Sequence, residues 1–240
     1  MTWFIASSAL ARADDAEDKA VAFVEKLKGK VYRDKNEPGN SVIVVELHST
    51  EVSDADLGNL AAFKELIVLS LSDTKVTDAG MKEIVKLKNL TALDLYFTKV
   101  TDAGVKELTA LKNLTILDLC GTAVTDAGVK ELAALKNLTN LELFRTKVTD
   151  AGVKELAALK NLASLHLGKT EVTDAGLRDL AALKNLTTLS LLGSTTVTDA
   201  SVKELATLKN LTELILSSTQ VTAAGVKELQ KALPNCTITK

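Results

Sequence analysis

Aromatic residues make up only 3% of this 240-residue chain, and proline, cysteine and histidine number two each. The prolines, Pro38 and Pro234, stand near the two ends, so nothing between them interrupts a repeating backbone. Neither sign of charge prevails: 29 basic residues face 31 acidic ones, for a net charge of −2. That balance supplies no basic face for nucleic acid. No apolar run approaches the roughly 18–20 residues that would cross a bilayer. What the chain does have is apolar material, 46% of its residues, which is ample for a core.

The first residues carry a short apolar stretch from Trp3 to Ala11, followed by Ala11-Arg12-Ala13 as a small-x-small cleavage pattern. A positively charged start is missing, so residues 1–13 read as a truncated signal-peptide remnant, and export to a periplasmic or extracellular space is favoured over the cytoplasm. Two unpaired thiols, Cys120 and Cys236, weigh mildly against an oxidising compartment.

Self-similarity dominates the remainder. LKNL recurs at 87–90, 111–114, 135–138, 159–162, 183–186 and 208–211, and TDAG at 77–80, 101–104, 125–128, 149–152 and 173–176. The period is 24 residues, lengthened once at Thr195-Thr196. Eight repeats begin at Val42, Leu66, Leu90, Leu114, Leu138, Leu162, Leu186 and Leu211. In the repeat 90–113, Leu93-x-Leu95 alternates as a half-buried strand does, and Val105, Leu108 and Leu111 then recur on one helical face. Thr101 is a natural N-cap, Asp102 complements the helix dipole, and Gly104 suggests close packing between stacked turns. One unit cannot bury its own apolar edge; eight stacked units share a continuous core.

On these residues the chain resembles leucine-rich-repeat proteins. L-x-x-L-x-L-x-x-T-x-V is their signature with threonine where asparagine or cysteine is common. The TDAG half is similar to bacterial tandem repeats and to ribonuclease-inhibitor-like and F-box-associated repeats. The resemblance implies an α/β solenoid, a horseshoe with a concave parallel sheet and convex helices. It specifies fold far better than function. The expected organisation is an N-terminal cap at 14–41 (helix plus short strand), the repeats at 42–234, and a closing strand at 235–240.

Alternation along each strand turns positions 4 and 6 inward and positions 3, 5 and 7 outward. The helical half is nearly constant, VKEL recurring five times, whereas the outward strand positions all differ. Duplication accounts for the constancy; the divergence asks for a separate cause. Position 5 holds Asp94, Asp118, Glu142 and His166; position 7 holds Tyr96, Cys120, Phe144 and Leu192; position 8 adds Phe97 and Arg145. Aromatic anchors beside charge are the usual make-up of a binding hot spot, and free drift would favour small polar residues instead. These ten residues form the candidate partner-binding face, for a protein or peptide presenting a basic group.

Other chemistries fare worse. Glu142, His166 and Ser190 align in the order of a hydrolase triad, but on an open face without an oxyanion donor pair. His48 and His166 are five repeats apart, roughly 24 Å at the spacing of strands, and cannot share an ion. The three carboxylates lack the ligand count of a dedicated calcium site. No catalytic residue, metal or cofactor is therefore expected, and Cys120 reads as an accessible thiol disfavoured as thiolate by Asp118. A non-catalytic, monomeric interaction module is the leading expectation. The alternatives are a self-associating envelope protein and a carbohydrate-binding module. The segment before Val42 is too short to add an F-box.

Overall fold

The computed structural model describes the backbone of residues 3–34 and 40–240, and side chains from Asp15 onward. Of the expected leader at 1–13 only the backbone from Trp3 is described, and it is helical, continuous with the expected cap helix; the turn expected around Pro38 lies outside the described residues. Helix α1 (Trp3–Lys26) leads into strand β1 (Lys30–Arg33), which pairs antiparallel with β2 (Val42–Glu46). Every later pairing is parallel and sequential through β3 (Val68–Ser70), β4 (Ala92–Asp94), β5 (Ile116–Asp118), β6 (Asn140–Glu142), β7 (Ser164–His166), β8 (Thr188–Ser190), β9 (Glu213–Ile215) and β10 (Thr237–Thr239). The result is one ten-stranded sheet in chain order, as a solenoid requires.

Opposite the sheet stand α2 (Asp78–Ile84), α3 (Asp102–Leu108), α4 (Asp126–Leu132), α5 (Asp150–Leu156), α6 (Asp174–Leu177), α7 (Val202–Leu205) and α8 (Ala223–Ala232). Short 3₁₀ turns at Asp54–Ala62, Arg178–Ala182 and Asp199–Ser201 replace all or part of the helix in the first, sixth and seventh repeats. Between the layers the repeat leucines and valines are fully buried, among them Leu93, Leu95, Val105 and Leu108. Phe63, Ala20 and Val24 extend that core under α1.

The residues beside the leucines link one repeat to the next. The Asp78 carboxylate accepts the backbone N–H and the hydroxyl of Thr101, both at 2.7 Å, and the N–H of Gly104 at 3.0 Å. Asp102 repeats this with Thr125 and Gly128. The Thr clasp recurs from Asp54, Asp126, Asp150, Asp174 and Asp199. The hydroxyls of the clasp threonines Thr77, Thr101, Thr125, Thr149, Thr173 and Thr198 also each accept an N–H from the turn they begin, as from Ala103 to Thr101. One hydroxyl thus caps a helix and ties it to the preceding repeat.

The glycine of TDAG makes room for that clasp. At Gly176, every near neighbour of an added Cβ belongs to Asp150. Where no earlier aspartate needs the space, in the first repeat, the position holds Asp56, which accepts from the backbone and hydroxyl of Ser53 instead. Ser201 breaks the pattern in the lengthened repeat, and there the helix starts as a 3₁₀ turn.

Two more ladders complete the frame. Asn113 of LKNL donates to the Lys88 carbonyl of the repeat before it, a bond copied from Asn89 to Asn210. The signature threonines, such as Thr98 and Thr122, are buried and donate to the carbonyl three residues earlier. That bond gives threonine a role in closing the turn after each strand.

Replacing Asp150 by Ala leaves the Thr173 N–H and hydroxyl without their acceptor, and should cost about 1–3 kcal/mol in a urea melt. Gly176→Ala should be destabilising in the native sequence and less so once Asp150 is Ala. A double-mutant cycle with no coupling beyond about 0.5 kcal/mol would show that the glycine is not there for the carboxylate.

Candidate functional site

Register places Asp94, Asp118, Glu142, His166 and Ser190 side by side as consecutive Cα partners across β4 to β8. The residues beside the strand leucines turn away from the core in most repeats, as the alternation of Ile116-Leu117-Asp118 illustrates, whereas Ser190 beside Leu189 is buried. The row is not uniform in its chemistry. Asp94 accepts from its own Tyr96 N–H at 3.0 Å and from the Ser70 hydroxyl at 2.7 Å. Asp118 accepts from the Cys120 N–H at 2.8 Å. A short side chain with an acceptor at position 5 therefore closes its own strand end, a structural reason for aspartate that the sequence pattern does not reveal.

Burial raises the Asp118 carboxyl above the usual range, opposed by its bonds from Cys120; the charges of Asp94 and Glu142 on the flanking strands push it the same way as burial. Glu142 reaches sideways to the Nδ1 of His166 at 2.5 Å. That bond raises the imidazole's pKa against the opposing effect of burial, with the charges of Glu142, Glu213 and Asp118 adding to the rise. Ser190 completes the register but not a triad. Its hydroxyl is buried and accepts from Leu192 N–H at 3.5 Å, and among the described residues no hydrogen bond joins it to His166.

Above this row lie the aromatic side chains. Tyr96 and Phe97 are exposed, at 41% and 38%, with ring centroids 4.5 Å apart. Phe144 is half-buried, and Leu192 is exposed. Cys120 corrects the expectation of an accessible thiol: it is buried, 6% exposed. Burial, with the neighbouring Asp118 charge second, pushes its thiol well up. The small side chain sinks between strands where the larger ones at position 7 cannot, so Cys120 offers little surface on this face.

Position 8 carries a constraint that the notation of repeats alone leaves hidden. All eight of its residues have positive φ: Ser49, Asp73, Phe97, Gly121, Arg145, Lys169, Gly193 and Ser218. Glycine is the economical choice in that region, and a Cβ costs about 1–2 kcal/mol. Phe97, Arg145 and Lys169 occupy it nonetheless. The Arg145 guanidinium lies 5.4 Å from the centroid of the Phe97 ring and the Lys169 ammonium 5.6 Å from that of Phe144. Gly121, between Phe97 and Arg145, leaves space for the ring, since a Cβ there would come within 2.7 Å of it. Lys169 joins the site by geometry. The two glycines in its column were the available signal that this column is left-handed.

The structure thus brings Asp94, Tyr96, Phe97, Asp118, Glu142, Phe144, Arg145 and His166 together over β4 to β7, with Leu192 following β8. Among the described residues no cluster of histidine, cysteine and carboxylates could hold a metal, and no helix is long and apolar enough to cross a membrane.

The leucine-rich-repeat family model matches residues 66–85, 86–108, 110–133, 134–157 and 207–229. The unmatched stretch between them holds the repeats whose helices give way to 3₁₀ turns. No curated protein sequence matches the chain. Among solved structures, an internalin (inlF) from Listeria monocytogenes aligns with a TM-score of 0.59 at 22% identity, over 81% of this chain and 58% of its own. Internalin C2 (inlC2) of the same organism aligns at 0.58 and 28% identity, over 91% of this chain and 81% of its own. The chain therefore spans less than two thirds of the first of these and most of the second.

Only two histidines exist, so the His166 resonances are readily separated by nuclear magnetic resonance. Its titration midpoint should lie above 6.5 and fall in Glu142→Gln. Because its folded pKa is raised, the pair's contribution to stability is fully present below the ordinary value of 6.5 and is lost as pH rises through the folded value. A wild-type advantage over His166→Gln that grows with pH would contradict this pairing. Native Cys120 and Cys236, both buried, should resist alkylation until the chain is unfolded; modification of Cys120 at the rate of a free thiol would refute its burial.

Proposed function

We propose, from the premise that this chain is a leucine-rich-repeat protein, that it is a non-catalytic module binding a protein or peptide on its concave sheet. The fold is in general a protein–protein interaction module, and it is typically not enzymatic. The observation that carries the reading for this chain is the cluster of Tyr96, Phe97 and Phe144 above three register-paired carboxylates. Large rings on a solvated sheet are hot-spot material, and among the described residues two of the three carboxylates, Asp94 and Asp118, make no ion pair. A basic group on the partner would supply the cation. Ser190 is buried and, among the described residues, its hydroxyl makes no hydrogen bond to His166, which supports the reading of the row as a recognition surface and not a hydrolase.

Two cavities, one lined in part by Ile43, Ile67 and Thr91 and the other by Leu183, Leu186 and Leu208, include none of this face's side chains in their lining, which favours a macromolecular partner over an enclosed small ligand or sugar. Residues 14–41 and 235–240 then serve to close the ends of the core. The protein is monomeric in this reading.

Affinity capture with the wild type and with a Tyr96→Ala/Asp118→Asn/Phe144→Ala variant tests it. A partner held by the wild type and lost by a variant with an unchanged melting curve is the expected result. The same partners on both would exclude this face. Mass that grows with concentration in light scattering, with no other partner, would favour a self-associating structural protein.

A further inference from the structure

Two lines of opposite charge run across the sheet face without touching. Asp94 and Asp118 form the inner line, at position 5, and among the described residues neither makes an ion pair. Arg145 and Lys169 form the outer line, at position 8, and they make none either. Opposite charges free to meet on an open surface ordinarily drift into pairs. Here position 7, with Tyr96 and Phe144, lies between the two lines, and the cations rest on ring faces instead.

The backbone adds an independent reason to read the outer line as selected. Position 8 is left-handed in every repeat, and glycine fills it at Gly121 and Gly193. The fold alone is served best by glycine, or by a small polar residue such as Ser49, Asp73 or Ser218. Instead Phe97, Arg145 and Lys169 concentrate their long side chains in the same few repeats that carry Asp94, Asp118 and Phe144. Placing cations there, against the backbone's preference, keeps them out of reach of the carboxylates and at the rim.

We propose that the face recognises a bipolar segment of a partner protein, with a lysine or arginine over Asp94 and Asp118, an apolar side chain on Tyr96 and Phe144, and an aspartate or glutamate at Arg145 and Lys169. This rests on the concave-face reading above and adds to it the acidic group and the order of the three. The charged lines together span four strands, on the order of 14 Å, which suits a stretch of polypeptide. An acidic group at the rim also sets orientation, since a reversed segment would bring like charges together at both lines.

A displayed library of random linear peptides, panned on the immobilised full chain, tests both levels. The variants are Arg145→Glu/Lys169→Glu, Asp94→Asn/Asp118→Asn and Tyr96→Ala/Phe144→Ala, each checked by circular dichroism and thermal melting. The asparagines keep the acceptors for the Tyr96 and Cys120 N–H groups. Enriched peptides should carry a basic, an apolar and an acidic residue in that order. Their affinity should fall by about tenfold or more on each variant. Exchanging the peptide's acid for a lysine should restore binding to Arg145→Glu/Lys169→Glu. Peptides that need the carboxylates and rings but bind equally to the rim-reversed variant would overturn the bipolar assignment and leave the concave module standing. Peptides indifferent to all three variants, or none enriched at all, would overturn both.

Discussion

In this chain the aspartate of each TDAG motif holds its neighbour in register, and most of the regular features follow from that bond. Its carboxylate accepts from the backbone and hydroxyl of the threonine in the next repeat. A 24-residue unit has too little interior to be stable alone, so stability lies in the interfaces between units. Leucine burial supplies most of the driving force there, but it is non-directional. The clasp is directional, and it fixes how far one helix can slide or rotate against the next.

The exceptions follow the same constraint. In the first repeat, among the described residues, no carboxylate arrives from an earlier one, and the glycine position holds Asp56. The last repeat has Ala223 where the others have aspartate, and β10 continues the sheet beside β9. Where the repeat is lengthened, Ser201 replaces glycine and the helix tightens into a 3₁₀ turn. The helix side is therefore held nearly constant by chemistry as well as by duplication. The outward sheet positions carry no ladder of this kind beyond the aspartates that close their own strand ends, and they are free to diverge.

That freedom is why the face is legible in outline and not in detail. The period of two along the strands shows that Asp94, Tyr96, Asp118, Glu142 and Phe144 share one side, and the structure places them there. It does not distinguish Cys120 from Tyr96, because both occupy position 7; size and local burial separate them, and a thiol sinks where a phenol ring cannot. It does not show that Glu142 turns to His166 while Asp94 and Asp118 turn back on their own chain, since that depends on side-chain length and on which donors lie in reach. Lys169 enters the site only through the cation–ring contact with Phe144.

By itself the sequence determined the number of repeats, the strand and helix within each, and the choice of buried leucines. These depend on periodicity, which is a property of the chain read in one dimension. The roles of Asp102 and Gly104 were only half visible there, as dipole complement and close packing, because the acceptor and the space it needs lie in different repeats. The left-handed column at position 8, the burial of Cys120 and Ser190, and the separation of acids from cations across the face were decided by tertiary structure alone. Each depends on which atoms meet across neighbouring strands, and the stacking of repeats creates those distances.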